Sequence, residues 1–243
     1  MLELVFLIGL ITGFLDSTVG AGGLVSVPSL IFLGLPPQVA IATDRFGTIG
    51  QSFTAGYKYW KAKKIVWEYV PIFTVLSLAG ALIGSTLLVQ ANPATLEKGV
   101  GVLLLVLLPV ILLKRRLGVE RAQKTKQHKA IGFVAYALLA IFGGFFGQGT
   151  GPLVMFVLTS FMGLTVIEVL ATNTIPWRVL SVASTVVFAF YGLVDYKIGA
   201  VLFVAMMIGG YVGAHVAIKQ GDAWIKRLFA VFVVLASVKL LFF

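Results

Sequence analysis

Gly20-Ala21-Gly22-Gly23-Leu24-Val25-Ser26-Val27-Pro28 lies inside a long apolar segment, just after Asp16. Within a helix each Gly costs roughly 1 kcal/mol and Pro about 3 kcal/mol relative to Ala. In a bilayer core, loosened backbone is tolerated only where protein or a water-filled cavity covers it. The stretch therefore reads as a break built into a membrane helix. The same device recurs as Gly147-Gln148-Gly149-Thr150-Gly151-Pro152. The chain is expected to hold these two breaks face to face.

Composition sets the class. The 243 residues are 59% hydrophobic and only 12% charged, where a soluble domain carries about 25% charged residues. An integral membrane protein follows. There is no cysteine, so a disulfide framework, a thiolate metal site and a Cys nucleophile are all excluded. Two histidines, His128 and His215, are too few for a His-based metal cluster, and neither a metal nor another cofactor is expected. The net charge is +10, but the basic residues sit mostly in short loops between apolar segments. Topology explains them better than nucleic acid does. The first apolar segment carries Glu3 and lacks a basic leader, unlike a cleaved signal peptide.

Outward from the first break, residues 2–18 and 22–34 are apolar pieces, the second too short for a core about 30 Å thick. They form a re-entrant hairpin or a pair of short spans. Residues 38–57 are a third segment that carries Asp44, Arg45 and Gln51. Lys58, Lys61, Lys63 and Lys64 then flank Tyr57, Tyr59, Trp60 and Trp67, an interfacial loop with its aromatic belt. Residues 68–90 and 95–113 read as ordinary spans joined through Gln90-Ala91-Asn92-Pro93. Residues 114–130 hold seven Lys and Arg against Glu120 and read as a basic cytoplasmic linker.

The second half repeats the first. Gly20, Gly22, Gly34, Gly80 and Gly84 match Gly149, Gly151, Gly163, Gly209 and Gly213 at a constant offset of 129. At that offset Ala42-Thr43-Asp44 falls on Ala171-Thr172-Asn173. Upstream, Gly13-Phe14 matches Gly144-Phe145 once two residues near the break are dropped. The organisation is residues 1–113 as a first repeat, 114–130 as linker, and 131–243 as a second repeat. Loop charge favours opposite orientations for the halves. The expected fold is an all-α polytopic membrane protein of two inverted repeats, each a broken or re-entrant helical hairpin followed by three transmembrane helices. Inverted repeats with broken helices are an alternating-access architecture, with the site near the midplane.

The candidate site follows from the breaks. A helix that starts at midplane exposes unpaired N–H groups and the positive end of its dipole. Gly20, Gly22 and Gly23 in the first break, and Gly149 and Gly151 in the second, let an anion approach that backbone closely. The spaced pairs Gly80/Gly84 and Gly209/Gly213 read instead as helix packing. Ionisable side chains inside spans are functional or paired. Arg45 and Arg178 offer planar donor forks for an oxyanion. Thr43, Gln51, Gln148, Thr172 and Asn173 offer neutral hydrogen bonds. Asp16 and Asp44 are the proton-coupling candidates. Helix capping at the break for Asp16, and pairing with other buried groups for Asp44 and Arg45, are the structural alternatives.

Gly13-Phe14, Gly20-Ala21-Gly22-Gly23, Pro28 and Ala42-Thr43, repeated as Gly144-Phe145, Gly149-Thr150-Gly151-Pro152 and Ala171-Thr172-Asn173, resemble the TauE/SafE family of membrane transporters. The resemblance covers both repeats. It implies transport of small sulfur-containing anions, such as sulfite, sulfonates or sulfoacetate, across the bacterial or archaeal inner membrane. It also implies that Gly20, Gly22, Thr43, Gly149, Gly151, Thr172 and Asn173 line the site. Pro152 stands where the first break has Gly23, so the two breaks differ in geometry.

The sequence thus reads as a secondary transporter, an exporter by resemblance, that holds a small sulfur anion between two Gly-rich breaks. A passive anion channel would use the same helix dipoles, and a different small organic anion would fit the same frame. An intramembrane enzyme is disfavoured: His-Glu-x-x-His, Gly-x-Ser-x-Gly and cysteine are all missing, and no catalytic residue is assigned. The expected partners are the anion, the lipid bilayer and protons, with self-association into a homo-oligomer left open.

Overall fold

The computed structural model describes residues 1–92, 121–147, 150–225 and 227–228. Every regular element among them is helical: α1 (Leu2–Val19), α2 (Gly23–Phe32), α3 (Pro37–Lys61), α4 (Val70–Gln90), α5 (Lys126–Phe146), α6 (Gly151–Val157, continued by a π-helical turn Leu158–Met162), α7 (Val166–Phe190) and α8 (Tyr196–Gln220). The expected span at 95–113, the first part of the linker, and Gln148 and Gly149 lie outside the described residues.

Both sequence breaks are breaks in the structure. α1 stops at Gly20, whose φ of 69° is left-handed and whose N–H bonds to the Asp16 carbonyl. α5 stops at Gly147, φ 88°, with its N–H on the Gly143 carbonyl. Positive φ costs glycine nothing sterically, and the N–H bonds satisfy carbonyls that the helix ends would leave free. Pro152 falls in the first turn of α6, where a missing N–H loses no helical bond. α6 and α7 are bent by 115° at their junction, and α7 begins with a Thr165/Glu168 capping box.

α1, α4, α5 and α8 are each long and apolar enough to cross a membrane, and the bent α6–α7 pair makes a fifth candidate. Their outer faces are apolar. Leu4, Leu7 and Ile11 on α1, Val75 and Leu82 on α4, and Val134 and Leu138 on α5 are all exposed, an arrangement that suits lipid and not water. α3 is 25 residues long, about 37 Å at 1.5 Å per residue, and starts and stops within a turn or so of the expected 38–57. Its last turn brings a correction. Tyr57, Trp60 and Trp67 are exposed, but Tyr59 is fully buried and its hydroxyl donates to the Ser17 carbonyl. It pins α3 to the end of α1 and does not belong to an aromatic belt. The second correction is at the linker: α5 begins at Lys126, capped by Thr125, so the last linker residues are already helical. Arg121 just before it pairs with Glu168 at 3.7 Å.

Packing runs chiefly between the halves. α1 packs on α8, α3 on α8, and reciprocally α5 on α4 and α7 on α4. Glycines permit the close crossings. A Cβ on Gly84 would strike the backbone of Ile141, Gly144 and Phe145, and one on Gly213 would strike the backbone of Phe14. These glycines are packing residues. Contact order gives the directions. Gly9 faces Leu202 and Ala205, and Gly13 faces Met206 and Gly210, so α1 and α8 run parallel. Gly47 faces Leu202 and Met206 and Gly50 faces Phe203 and Met207, so α3 runs with them. Gly80 meets Ala140 and Gly84 meets Gly144, so α4 runs with α5. Against this, Arg178 reaches the Ser52 carbonyl while Gly56 faces Thr174, so α3 and α7 cross in opposite senses.

Two hydrogen bonds mirror each other. The Thr43 hydroxyl accepts from the Asp195 N–H at 3.0 Å, and the Thr172 hydroxyl accepts from the Val66 N–H at 3.0 Å. The 129-residue offset relates Thr43 to Thr172 and Val66 to Asp195. Each half therefore offers its threonine to the other half's loop.

Candidate functional site

The breaks meet. A Cβ on Gly151 would land on the Gly20 carbonyl, so the backbones of the two breaks touch with no side chain between them. Beside this contact is a cavity of about 50 Å³, whose walls include Asp16, Gly20, Gln51, Gly151, Asn173 and Trp177, with Ser52 and Thr174 adjoining. That is more than the roughly 10–15 Å³ needed to hold one water.

Each polar wall group is held by a second contact. Asp16 Oδ1 accepts the Gly22 N–H at 3.2 Å, so Asp16 caps the start of α2 and faces the cavity as well. Gln51 donates from Nε2 to the Ser17 hydroxyl at 2.7 Å. Asn173 Oδ1 accepts from the Tyr136 hydroxyl at 2.7 Å, and Tyr136 is held in turn by Ser77 at 3.0 Å. The other end of the Asn173 amide is not used by Tyr136 or Ser77. The two amide side chains in the wall can donate to an oxyanion, while an ionised Asp16 carboxylate would repel it.

The arginines stand behind this wall. Arg45 is fully buried. It donates to the Gly143 carbonyl, at the end of α5, where a cation also meets the negative end of the helix dipole. Its guanidinium carbon lies 5.9 Å from the centre of the Trp177 ring, and the six-membered edge of that ring packs on Gly143. Trp177 lines the cavity and Arg45 does not. Arg178 donates to the Ser52 carbonyl at 2.6 Å and lies 4.2 Å over the Phe53 ring, clamping α7 to α3. Asp44 is fully buried, and neither of its oxygens has a hydrogen-bond partner.

Of the residues expected to line the site, the structure brings Asp16, Gly20, Gln51, Gly151 and Asn173 to one cavity. It puts others to different use. Thr43 and Thr172 tie the halves together. Gly22 packs against Thr12 and Asp16 of α1, and Gly23 is the buried first residue of α2. Trp177, Ser52 and Thr174 are lining residues that sequence reading missed. For Trp177 a signal existed: it is an indole in mid-segment beside Arg178, whereas Trp60 and Trp67 flank a lysine-rich turn.

A multi-pass helical membrane protein with two broken helices closing on a small, largely apolar cavity that carries a few polar side chains is the architecture of a membrane transporter. The chain belongs to the TauE/SafE family: the family model described as sulfite exporter TauE/SafE matches residues 5–240. Among its relatives, a "Probable membrane transporter protein" of Haemophilus influenzae is 22% identical over 100% of this chain and 95% of its own length. The "Probable membrane transporter protein ORF9" of Sinorhizobium sp is 26% identical over 99% of this chain and 92% of its own. The "Probable membrane transporter protein YjnA" of Bacillus subtilis is 24% identical over 98% of each. No solved structure matches the chain.

Proposed function

We propose that the protein is a secondary transporter, working as an exporter, of a small sulfur-containing anion. The anion is bound in the cavity between the Gly20 and Gly151 breaks and released by alternating access. The observation that carries this reading is the convergence of both breaks, from opposite halves of the chain, on one cavity with two amide side chains in its wall. The family supplies the substrate class.

The inverted orientation of the halves is part of the proposal. The opposite running of α3 and α7, and the exchanged Thr43 and Thr172 bonds, support it. So does the positive-inside rule, which assigns the Lys58–Lys64 turn to the cytoplasm and the Tyr191–Asp195 turn to the outside of a bacterial or archaeal inner membrane. Proton coupling enters through Asp16. A neutral Asp16 donates a hydrogen bond to the anion, and an ionised one repels it. Binding of anion and proton is therefore mutually favourable. Arg45 acts indirectly by holding the end of α5, and thus the second break.

The test is a thermal-shift and binding screen of the purified protein against sulfite, thiosulfate, sulfate, sulfonates, sulfoacetate and small carboxylates. Sulfite-sized oxyanions are expected to stabilise it saturably. Stabilisation by carboxylates alone would overturn the substrate class. Flux linear in concentration and indifferent to pH would favour a passive channel.

A further inference from the structure

Behind the cavity wall stands a short chain of hydroxyls whose order of donation decides how that wall is presented. Ser77 on α4 and Tyr136 on α5 are fully buried, with their oxygens 3.0 Å apart. The Tyr136 hydroxyl donates to Asn173 Oδ1 on α7 at 2.7 Å, and Asn173 lines the cavity. A phenol has one proton to give. With that proton on Asn173, Ser77 is the donor at its contact with Tyr136, and the chain runs from Ser77 through Tyr136 to Asn173. The rest of α4 sets Ser77 apart. Thr74, Ser85 and Thr86 each bond the carbonyl four residues back, at 2.7, 2.6 and 2.7 Å, a common use of a hydroxyl inside a helix. The Ser77 hydroxyl bonds Tyr136 instead.

Packing holds this chain in place. Gly80 of α4 lies against Ala140 of α5, and Ser77 and Tyr136 stand about one turn before that contact on the two helices. The Tyr136 ring stacks on Phe73, with centroids 4.1 Å apart and planes 23° from parallel, and Phe73 is itself fully buried. The stack fixes the ring, and with it the place of the hydroxyl. A buried tyrosine needs a partner for its hydroxyl, and Ser77 alone supplies one. The bond to Asn173 goes beyond that need. The repeat does not demand it either. The duplication sets Met206 against Ser77, Asp44 against Asn173 and, with two residues dropped near the break, Val5 against Tyr136. Met206 and Val5 carry no hydroxyl, so the chain belongs to one of the two equivalent sites alone.

An amide carries opposite chemistry at its two ends, donors on nitrogen and an acceptor on oxygen. A reversed chain would turn the Asn173 nitrogen to Tyr136 and its oxygen to the cavity, where it would oppose an anion. We propose that Tyr136 and Ser77 are positioning residues for anion binding: by donating in series to Asn173 Oδ1, they turn the Asn173 NH2 group to the cavity and make this wall selective for an anion. Both act through Asn173 and neither touches the anion. The role rests on the anion cavity proposed above.

A double-variant cycle on the purified full-length protein tests the role, with sulfite binding by calorimetry beside a thermal melt of each variant. Asn173→Ala removes a hydrogen bond to a charged group and should weaken sulfite binding roughly tenfold or more. Tyr136→Phe keeps the ring stack and should weaken it by about threefold to tenfold. In the Asn173→Ala background, Tyr136→Phe should change the affinity by less than about twofold, even where it lowers Tm. Ser77→Ala deletes one buried oxygen and should give the same pattern more weakly, which decides the matter should Tyr136→Phe fail to fold. A tyrosine that serves stability alone would weaken sulfite by the same factor with and without Asn173, and that result would overturn the positioning role. So would wild-type affinity in both Tyr136→Phe and Ser77→Ala. In either case sulfite binding by the wild type would leave the anion cavity standing. No sulfite binding by the wild type would overturn the cavity and the positioning role together.

Discussion

Replacing Gly151 with alanine probes the contact between the two breaks most directly. The added Cβ would strike the Gly20 carbonyl oxygen, with the carbonyl carbon at 2.7 Å and the Gly20 Cα at 2.8 Å. Carbon atoms pack comfortably at about 3.5 Å, so these carbons alone require the two backbones to part by about 0.8 Å, and the nearer oxygen requires more. Neither neighbour is a flexible side chain, so the strain has nowhere cheap to go, and overpacking of this kind costs about 1–3 kcal/mol. The cavity lies beside this contact, and a displacement near 1 Å in a positioning element costs about 100-fold in a site that depends on it. Gly34→Ala is the matched control. Gly34 has φ 95° and nothing within 4 Å of a built Cβ, so alanine there adds left-handed strain of roughly 1–2 kcal/mol without a collision. The assay is sulfite binding by calorimetry beside a thermal melt for each variant. Both variants should melt lower, but only Gly151→Ala should lose affinity, by one to two powers of ten. Wild-type affinity in Gly151→Ala would refute the placement of the anion between the breaks.

Three further expectations follow from the same geometry. Sulfite binding should weaken as pH rises, because an ionised Asp16 in the cavity wall would repel the anion. Asp16→Asn keeps the acceptor for the Gly22 N–H and should flatten that dependence in a pH series of binding isotherms; an unchanged profile would leave Asp16 as a cap only. Thr43→Val and Thr172→Val should each cost about 1 kcal/mol in a chemical melt by orphaning one backbone N–H, add in the double variant, and leave anion affinity alone. Cysteines placed at the exposed positions Trp60 and Tyr191 should label from the cytoplasmic and the outer side respectively; labelling of both from one side would refute the inversion.

The two breaks and the ends of the first-half helices were legible because they are local, and the 129-residue offset because it is periodic. Glycine beside proline stops a helix wherever it lies, and a repeat offset aligns whole segments at once. The misreadings concern partners across the halves. Thr43 and Thr172 stood out correctly as a matched pair, but the offset relates equivalent positions and is silent about contacts. Only the packing of α3 on α8 and of α7 on α4 shows that their hydroxyls serve distant loops. Tyr59 went the same way: four lysines around an aromatic cluster look interfacial, yet one ring of the cluster faces inward to Ser17. Trp177 joined the wall because α7 crosses α3 at that level, and no spacing along the chain encodes a crossing.

The exchange of helices between halves also sets an order of events during synthesis. α1 is finished at Val19, but α8, against which it packs, begins only at Tyr196, 177 residues later. At about 5–20 residues per second, the first helix waits roughly 9–35 s for its main partner, with Asp16 and a glycine-loosened end in lipid throughout. The nascent first half cannot settle into its final packing and must be sheltered, whether by the insertion machinery or by provisional contacts with α3. A chain cut in its middle would therefore yield two fragments that each lack their neighbours, and that recover them only by finding one another in the membrane.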